Sequence, residues 1–288
     1  MATSTDLNLR GGVAVITGAA SGIGAALAQS LATRGCDLAL VDIDLAGLAE
    51  TAQRARATGV AVTTHGLDVT DAAGIAELPE QVTSVHRRVT VLVNNAGVAA
   101  GGTFEQVDPA DFDWLMNVNF FGTVRMTRAF LSTLAREAAA QVVNVSSVFG
   151  IIAPPNQTAY CASKFAVRGF SESLRHELQA AGSPVRVTVV HPGGVRTAIA
   201  ANARVPKDVD AEQVAREQKT WRSLLTLPAE DAAEQIARAI ERRRERVLIG
   251  RDAKQAEWLQ RILPVGYWKH AARGLARRVA KASAAEAR

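Results

Sequence analysis

The chain contains 288 residues, of which 48% are hydrophobic and 21% are charged, and it has only two cysteines. This composition suits a globular chain with one large core, and it excludes an intrinsically disordered chain and a disulfide-rich secreted scaffold. The net charge of +5 arises near the C-terminus, where residues 238–288 hold 14 Lys and Arg against 5 Asp and Glu.

The basic C-terminal segment is not accompanied by any recognised nucleic-acid-binding motif, so we expect no nucleic-acid partner. The first ten residues lack the apolar segment of a secretion signal. Cys36 and Cys161 fall in different predicted elements. We therefore expect a reduced, cytoplasmic protein.

Short apolar runs rich in valine alternate with amphipathic stretches of helical length. The predicted strands are 13–17, 37–41, 60–67, 89–94, 141–146, 185–190 and 246–249. The predicted helices are 23–33, 45–58, 72–87, 109–138, 157–181 and 228–243. Uniformly apolar strands separated by helices indicate an α/β fold, in which a doubly wound parallel sheet of about seven strands is covered on both faces. Ligands of such a sheet bind at the carboxyl ends of its strands.

The first predicted strand runs into the sequence TGAASGIG at residues 17–24. Gly18, Gly22 and Gly24 lie at a strand-to-helix turn, where absent side chains let backbone N–H groups approach a pyrophosphate at the helix N-terminus. The spacing GxxxGxG differs from the usual dinucleotide fingerprint, and no GK[ST] of a P-loop follows. The segment predicts a dinucleotide site, with a plain tight turn as the alternative.

Asp42 ends the second predicted strand about twenty residues further on, where a carboxylate accepts hydrogen bonds from ribose hydroxyls and repels a 2′-phosphate. No arginine adjoins Asp42, and Ala20 occupies the loop position where a basic residue would help NADP. The sequence therefore predicts NAD(H) in preference to NADP(H).

Two further segments follow predicted strands. Asp68 either accepts from an adenine amino group or caps the next helix. In the sequence NNAG at residues 94–97, we expect a structural role for Asn94 and a cofactor wall at residues 95–97, since Gly97 lets a cofactor pass close to the backbone. Asn119, inside a predicted helix, either bonds neighbouring backbone or holds a water leading toward Lys164.

Tyr160 and Lys164 are spaced i, i+4 in predicted helix 157–181, which puts them on one face. An ammonium beside a phenol lowers the pKa of the phenol, and a tyrosine tuned in this way exchanges protons with an alcohol near neutral pH. Ser147, at the end of the preceding strand, can hold the same substrate oxygen. The alternative is an ordinary helix with one aromatic residue and a solvated lysine.

The segment PGGVRT at residues 192–197 follows the sixth predicted strand. The Val195 backbone and the Thr197 hydroxyl can bind a nicotinamide carboxamide. We expect residues 198–227 to form a lid, with an apolar stripe at Trp221, Leu224, Leu225 and Leu227.

The predicted substrate side is apolar. Phe149, Ile151 and Ile152 either line a pocket for an apolar secondary alcohol or ketone or pack into the core. Arg196 and Arg204 are the nearby candidates for an anionic substrate. The five histidines show no metal-ligand spacing, so no metal site is predicted.

Residues 251–288 carry a short apolar face at Ala256, Leu259, Ile262 and Leu263. A second helical stripe follows at Trp268, Ala272, Leu275 and Val279, opposite basic residues. A basic amphipathic helix of this kind lies in a membrane interface, on a partner subunit or on the lid.

The chain resembles the short-chain dehydrogenase/reductase family over roughly residues 9–250. The resemblance rests on an ordered set of motifs: TGAASGIG, Asp42, Asp68, NNAG, Asn119, Ser147, YCASK and PGGVRT. A glycine turn or a YxxxK pair alone is a weak signal, whereas the ordered set is specific. The resemblance implies one Rossmann-type domain at residues 1–250, followed by a helical extension at residues 251–288.

The resemblance also implies residue roles. Tyr160 is the general acid/base, and Lys164 lowers its pKa and binds the nicotinamide ribose. Ser147, rather than Ser146, orients the substrate oxygen, and Asn119 completes a proton relay through water. The implied cofactor contacts are Gly18, Ser21, Gly22, Ile23, Gly24, Asp42, Asp68, Val69, Asn95, Ala96, Gly97, Tyr160, Lys164, Pro192, Gly193, Val195 and Thr197.

The resulting expectation is an NAD(H)-dependent alcohol dehydrogenase or carbonyl reductase that interconverts an apolar secondary alcohol and its ketone without zinc. Family members suggest a homodimer or homotetramer formed through helices 109–138 and 157–181. Two alternatives stay open: a non-catalytic dinucleotide-binding regulatory or scaffold protein, and an NADPH-dependent 3-ketoacyl reductase.

Overall fold

A computed structural model describes residues 6–206, 209–210, 212, 220 and 223–274. The strands are β1 (Val13–Thr17), β2 (Asp37–Asp42), β3 (Val62–Gly66), β4 (Val91–Asn94), β5 (Ala140–Val145), β6 (Val185–Pro192) and β7 (Arg246–Ile249). The helices include α1 (Gly22–Ala32), α2 (Leu45–Arg56), α3 (Ala72–His86), α4 (Pro109–Met116), α5 (Gly122–Leu134), α6 (Thr158–Ala180), α7 (Ala229–Glu241) and α8 (Arg251–Ile262).

The sheet has seven parallel strands in the order β3-β2-β1-β4-β5-β6-β7. The order reverses between β1 and β4, so the chain leaves a crevice at the carboxyl ends of these two strands. The predicted doubly wound α/β architecture is confirmed.

Apolar side chains cover both faces of the sheet. On one face, Leu27 and Leu31 of α1 pack with Ile236 of α7. On the other face, Met126 and Phe130 of α5 are completely buried. The valine-rich strands are therefore enclosed by helices on both sides, as uniformly apolar strands require.

A buried polar chain ties the centre of the sheet to the helices. Asn94 Nδ2 donates to Asn144 Oδ1 at 2.8 Å and to Thr127 Oγ1 at 2.9 Å, while Asn144 Nδ2 donates to Ser171 Oγ at 2.9 Å. Buried amides are stable only when they are paired in this manner. Asn94 thus has the structural role predicted for it.

The long helix predicted at 109–138 is not one regular helix. A π-helical segment, Asn117–Phe121, separates α4 from α5, and α5 ends at Leu134. Single π turns accommodate an extra residue and often lie at functional sites. The helix-forming sequence after Leu134 does not continue the helix because the chain must turn back to start β5, so tertiary structure overrides local propensity.

The first part of the C-terminal extension packs directly on the domain. Only Gly250 separates β7 from α8, and its φ of 92° lies in the left-handed region that glycine tolerates. Ala253 of α8 is completely buried. The predicted tail positions Leu275 and Val279 lie outside the described residues, and the division into domains at residue 250 stays a prediction.

Within the part of the chain that the structure describes, no helix combines the length and the apolar character needed to cross a membrane. Trp258, Ile262 and Val265 of the extension are exposed, at 66%, 55% and 92% of their surface. Of the predicted apolar face, Ala256, Leu259 and Leu263 are partly covered, whereas Ile262 is exposed.

Candidate active site

Ser147 immediately follows β5 and begins a short 3₁₀ turn, Val148–Gly150. Its Oγ accepts a hydrogen bond from Phe149 N at 3.1 Å. The same hydroxyl is hydrogen-bonded to Tyr160, which lowers the pKa of that phenol. Ser146 instead donates to the Lys164 carbonyl at 2.8 Å. The two neighbouring serines therefore differ in use: Ser146 fixes helix α6, and Ser147 lies beside the phenol.

Tyr160 lies in the first turn of α6, with its ring edge-on to the Phe149 ring at a centroid distance of 6.1 Å. Burial raises the pKa of Tyr160 to about 12, and the hydrogen bond with Ser147 lowers it by less. Removing a phenol from water disfavours its charged form. In the protein alone, Tyr160 is a neutral hydrogen-bond donor at neutral pH.

Lys164 lies one turn further along α6 and is only 3% exposed. Its Nζ donates to the Val145 carbonyl at 3.1 Å and lies 5.7 Å from the centroid of the Tyr160 ring. Burial lowers the pKa of Lys164 to about 8. The predicted proximity is present. The pKa of Tyr160 is nevertheless raised, because burial of the phenol outweighs the lowering by Ser147, and a lowering by Lys164 stays a prediction.

Asn119 lies in the π-helical segment, where its side chain is fully engaged by the protein. Its Oδ1 accepts from Val98 N at 2.8 Å, and its Nδ2 donates to Val98 O at 3.0 Å and to Ser163 Oγ at 3.1 Å. The side chain therefore follows the predicted alternative of bonding nearby groups, and the water relay stays a prediction. A Cβ added to Gly97 would lie 3.2 Å from Asn119 Oδ1 and 3.4 Å from Lys164 Nζ, so Gly97 keeps the space between them open.

The glycine turn joins β1 to α1 and is fixed by Asn95. Gly18 and Gly22 have φ values of 66° and 54°, in the left-handed region. Asn95 Nδ2 donates to Thr17 O at 3.0 Å and to Gly18 O at 3.1 Å. Thr17 Oγ1 accepts from the backbone N–H groups of Asn95 and Ala96, both at 3.0 Å. Asn95 thus stabilises the turn in addition to any part it has in a cofactor wall.

The N-terminus of α1 faces this turn. Ser21, the residue before the helix, makes no side-chain capping bond, and Ile23 follows in the first turn. Uncapped N–H groups at a helix N-terminus suit an anionic group. A Cβ on Gly22 would lie 3.1 Å from Thr197 Cγ2, so the loop after β6 reaches the mouth of the turn.

The two predicted adenosine-side carboxylates have different surroundings. Asp42 Oδ2 accepts from Ala20 N at 2.9 Å, and its Oδ1 accepts from Asp44 N at 3.1 Å. Asp68 is exposed and its Oδ1 accepts from Thr70 N at 2.8 Å. The helix-cap alternative for Asp68 is wrong, since Asp71 caps α3 by accepting from the N–H groups of residues 73 and 74.

Val69, next to Asp68, has a buried side chain that packs against Gly122 at the start of α5. A Cβ on Gly122 would lie 2.9 Å from Val69 Cγ2. The Val69 side chain therefore belongs to the core, and the predicted cofactor contact of Val69 stays a prediction.

The loop after β6 is held by neighbouring backbone. Gly193 N donates to Ile249 O at 2.9 Å, and Val195 N donates to Gly193 O at 2.9 Å. Val195 is 4% exposed and forms a bridge with Leu227, near the end of the predicted lid. Pro192, the last residue of β6, is buried.

The structure brings the predicted motifs to one edge of the sheet. Ser147, Tyr160 and Lys164 follow β5, the glycine turn follows β1, and Thr197 follows β6. A model of the short chain dehydrogenase family matches residues 12–208, more than half of the chain. This chain belongs to the short-chain dehydrogenase family.

Relatives and solved structures agree with this assignment. The chain is 41% identical over 270 residues to a Mycobacterium tuberculosis protein named SadH, whose name describes it as an oxidoreductase, and the match spans 94% of this chain and 97% of the relative. A short-chain dehydrogenase/reductase from Burkholderia phymatum in complex with NAD has a TM-score of 0.83, is 32% identical, and is matched over 88% of this chain and 94% of that one.

A metagenomic short-chain oxidoreductase in complex with NADP has a TM-score of 0.68 and is 28% identical, with 84% of this chain and 98% of that chain covered. Structures similar to this short-chain dehydrogenase therefore bind either NAD or NADP. The chain is an oxidoreductase of this family, and its cofactor preference is a separate question.

A cleft of about 810 Å³ opens beside α1 of this short-chain dehydrogenase. Its lining includes Ser21, Gly22, Thr197, Arg196 and Leu225. Three of these are predicted cofactor contacts, whereas Tyr160 and Lys164 do not line it. The predicted lid residue Trp221 lies outside the described residues.

His191 is a site residue whose role the sequence does not reveal. It is completely buried, and its Nδ1 lies 2.9 Å from the carbonyl oxygen of Ser147. Burial lowers the pKa of His191 to about 4, so the ring is neutral at neutral pH. The histidine at the end of β6 is visible in the sequence, but its contact with Ser147 depends on the pairing of β5 with β6.

Proposed function

We propose that this protein is an NAD(H)-dependent oxidoreductase that interconverts an apolar secondary alcohol and its ketone, with Tyr160 as general acid/base. The observation that carries the proposal is the group formed by Ser147, Tyr160 and Lys164 after β5, at the same edge of the sheet as the glycine turn. A nicotinamide dinucleotide supplies or accepts the hydride when it is bound. The protein residues hold the substrate and move the proton.

The residues present fit such a cofactor. The uncapped N-terminus of α1 offers backbone N–H groups to a pyrophosphate. Gly97 leaves space beside Asn119 and Lys164, and Thr197 lies at the mouth of the glycine turn. The N-terminus of α1 would hold the pyrophosphate, Lys164 beside Gly97 would hold the nicotinamide ribose, and Thr197 would hold the nicotinamide.

In this proposal Tyr160 gives its proton to the ketone oxygen during reduction and takes it back during oxidation. Ser147 donates a hydrogen bond to the same oxygen, which orients the substrate. Because burial raises the pKa of Tyr160 to about 12, the phenol is protonated at neutral pH and ready to act as an acid. Alcohol oxidation needs the deprotonated phenol, so its rate should rise with pH.

Replacement of Tyr160 by phenylalanine tests the role directly. Tyr160→Phe removes only the hydroxyl, and we expect turnover to fall about a thousandfold. The affinity for NADH, measured by its fluorescence, should stay within about twofold of wild type, because the ring is retained. A variant with near-normal turnover would refute the proposed acid/base.

The proposed preference for NAD(H) rests on Asp42. Its carboxylate lies at the end of β2, and each oxygen accepts one backbone hydrogen bond and retains a lone pair for a ribose hydroxyl. A carboxylate in this place repels a 2′-phosphate. The ratio of kcat/KM for NADH and NADPH measures the preference, and Asp42→Ser should reduce it. A wild-type preference for NADPH would contradict the proposal and favour the 3-ketoacyl reductase alternative.

Arg204 already has partners within the protein, which agrees with a substrate that is neutral. Its guanidinium pairs with Asp111 at 2.6 Å and stacks over the Trp114 ring at 3.5 Å from the centroid. Phe149 lies against Tyr160, whereas Ile151 is completely enclosed and belongs to the core.

A panel of secondary alcohols and ketones, followed through NADH absorbance, tests the proposal. Activity with none of them would favour the non-catalytic alternative.

We also propose that the protein self-associates through α5 and α6. Phe121, which directly precedes α5, and Phe165 of α6 are exposed, at 47% and 39% of their surface. The Phe120 ring joins the two elements, since it contacts the rings of Phe121 and Phe170. Exposed aromatic residues are enriched at protein interfaces. Light scattering should give the mass of a dimer or tetramer for wild type and a smaller mass for the double variant Phe121→Glu and Phe165→Glu. A monomeric wild type would contradict the proposal.

A further inference from the structure

Asp252, in the first turn of α8, contacts the loop after β6. Its Oδ2 accepts a hydrogen bond from Gly194 N at 2.6 Å. This is a short, charge-assisted bond from backbone to carboxylate. The contact joins the C-terminal extension, beyond the residues that the family model matches, to the loop proposed to hold the nicotinamide.

Glycines on both sides make room for the Asp252 carboxylate. A Cβ on Gly193 would collide with both of its oxygens, and a Cβ on Gly250 would lie 2.5 Å from Oδ1. At Gly194 an added Cβ would meet the Leu224 carbonyl first. Any residue with a side chain at position 193 or 250 would therefore displace the Asp252 carboxylate. The glycines that follow β6 and β7 leave the room that this carboxylate needs.

The remainder of the extension holds α8 in place. Ala253 is completely buried, and Glu257 forms an ion pair with Arg246 of β7 at 2.6 Å. Further along, the Tyr267 hydroxyl accepts from Ala153 N at 2.9 Å, in the segment that follows the 3₁₀ turn after Ser147. The extension thus contacts the loops after both β5 and β6, which flank the proposed site.

Backbone hydrogen bonds hold the two glycines on their other sides, including Gly193 N to Ile249 O and Val195 N to Gly193 O, both at 2.9 Å. The Gly194 carbonyl accepts from Thr226 N at 2.9 Å and from Leu227 N at 3.0 Å, but the Gly194 N–H has Asp252 as its partner. Consecutive glycines gain conformational freedom when a restraint is lost. Small displacements of a positioning loop reduce the efficiency of the groups it carries.

We propose that Asp252 is a positioning residue that holds the Gly193–Gly194 loop so that Val195 and Thr197 meet the nicotinamide half of the cofactor. The inference rests on the proposed function. It makes α8 part of the active site. Asp252 itself touches neither the cofactor nor the substrate and acts through the loop.

An acidic residue in the first turn of a helix also stabilises that helix through its dipole. Asp231, in the first turn of α7, is exposed and supplies the matched control. Asp231→Asn removes the same kind of helix-terminal charge without touching the loop. A structural effect common to both helices would therefore appear in both variants.

The test compares the binding of two probes to the full-length protein by calorimetry. NADH contains the nicotinamide, and ADP-ribose lacks it. We expect Asp252→Ala to weaken NADH binding about tenfold while ADP-ribose binding changes less than about twofold. Asp252→Asn keeps a neutral acceptor at the same place and should lie between wild type and Asp252→Ala. Asp231→Asn should leave both affinities unchanged.

The ratio of the two affinities separates positioning from general destabilisation. If Asp252→Ala weakens both probes equally, or weakens neither, the inference is wrong while the proposed function stands. If Asp252→Ala is too unstable to assay, the ratio measured for Asp252→Asn decides by the same criterion. If wild type binds neither probe, the proposed function fails and the inference fails with it.

Discussion

The glycine turn and the start of α6 both carry sequence motifs, but their residues serve the protein in different ways. In the glycine turn, Asn95 and Thr17 satisfy one another and the backbone. In α6, the buried Lys164 and the partly buried Tyr160 lie in surroundings that disfavour their charged forms. The first motif stabilises the fold, whereas burial of the Lys164 ammonium in the second costs stability that a structural role does not require.

This difference shows that a motif does not by itself tell which residues face a ligand. Gly18 and Gly24 lack side chains because Asn95 packs against them, and a Cβ on either would lie within 2.8 Å of Asn95 Nδ2. Lys164, by contrast, offers three donors on its ammonium and, among the described residues, donates to one acceptor, the Val145 carbonyl. Unfulfilled hydrogen-bonding capacity is therefore the better sign of a binding role.

The sharpest way to test the comparison is Lys164→Met. The change removes the ammonium but keeps a long apolar side chain, and we expect turnover to fall by a factor of about a thousand. Because the pKa of Lys164 is lowered from 10.5 to about 8, the same change should raise the free energy of unfolding at pH 7 by about 3 kcal/mol. Kinetics and denaturant unfolding measure the two effects.

The pH dependence of the free energy of unfolding tests whether the lowered pKa of Lys164 is the cause of this stabilisation. Between pH 8 and 10 the unfolded chain retains the Lys164 proton while the folded protein loses it, so Lys164 should add a rise with pH to the free energy of unfolding of wild type, measured as the difference from Lys164→Met. Lys164→Met should lack this rise, whereas Lys254→Met, at an exposed site in α8, should behave as wild type. A Lys164→Met protein that is less stable than wild type at pH 7 would contradict the interpretation.

The glycine turn should give the opposite result, a loss of stability. In Gly24→Ala the new Cβ would collide with the Gly18 carbonyl and lie 2.6 Å from Asn95 Nδ2, so we expect the free energy of unfolding to fall by about 3 kcal/mol. Gly169→Ala, also within a helix but with open space around the new Cβ, should stabilise the protein by up to about 1 kcal/mol. If Gly24→Ala and Gly169→Ala are equally stable, the packing of the glycine turn does not stabilise the fold, and the proposed difference between the two motifs is wrong.

His191 gives the smallest expected effect. The folded pKa is about 4 against an ordinary value of 6.5, so protonation of the unfolded chain should lower the free energy of unfolding as pH falls through this window, by about 2 kcal/mol near pH 5. His191→Asn should remove this part of the acid sensitivity, and His176→Asn, at an exposed site in α6, should retain it. Urea unfolding at several pH values measures the difference, and parallel curves for all three proteins would refute the assignment to His191.

Much of the fold is predictable because the signals are local. Valine-rich runs specify buried strands, and the bounds of β1 and β7 agree with those predicted from the sequence. Asp44 caps α2 through the N–H groups of residues 46 and 47, an arrangement that short-range geometry fixes. The alternation of strands and helices then leaves few possible topologies.

Other features depend on residues far apart in the sequence. The division of predicted helix 109–138 by a π turn accompanies the contact between Asn119 and Val98, two segments that meet only in the folded chain. The partner of Asp252 is equally remote, since Gly194 lies on a different strand connection. No pattern within residues 251–288 indicates that the extension reaches the loop after β6.

The sequence by itself determined the parallel sheet, the order of the motifs and the choice of Tyr160 and Lys164 as neighbours, because periodicity and i, i+4 spacing are properties of the local chain. Only the tertiary structure decided how Asn95, Asn119, His191 and Asp252 are used, and in which direction the pKa of Tyr160 moves. Burial and hydrogen-bond partners come from segments that folding brings together, so they cannot be read from any one of those segments.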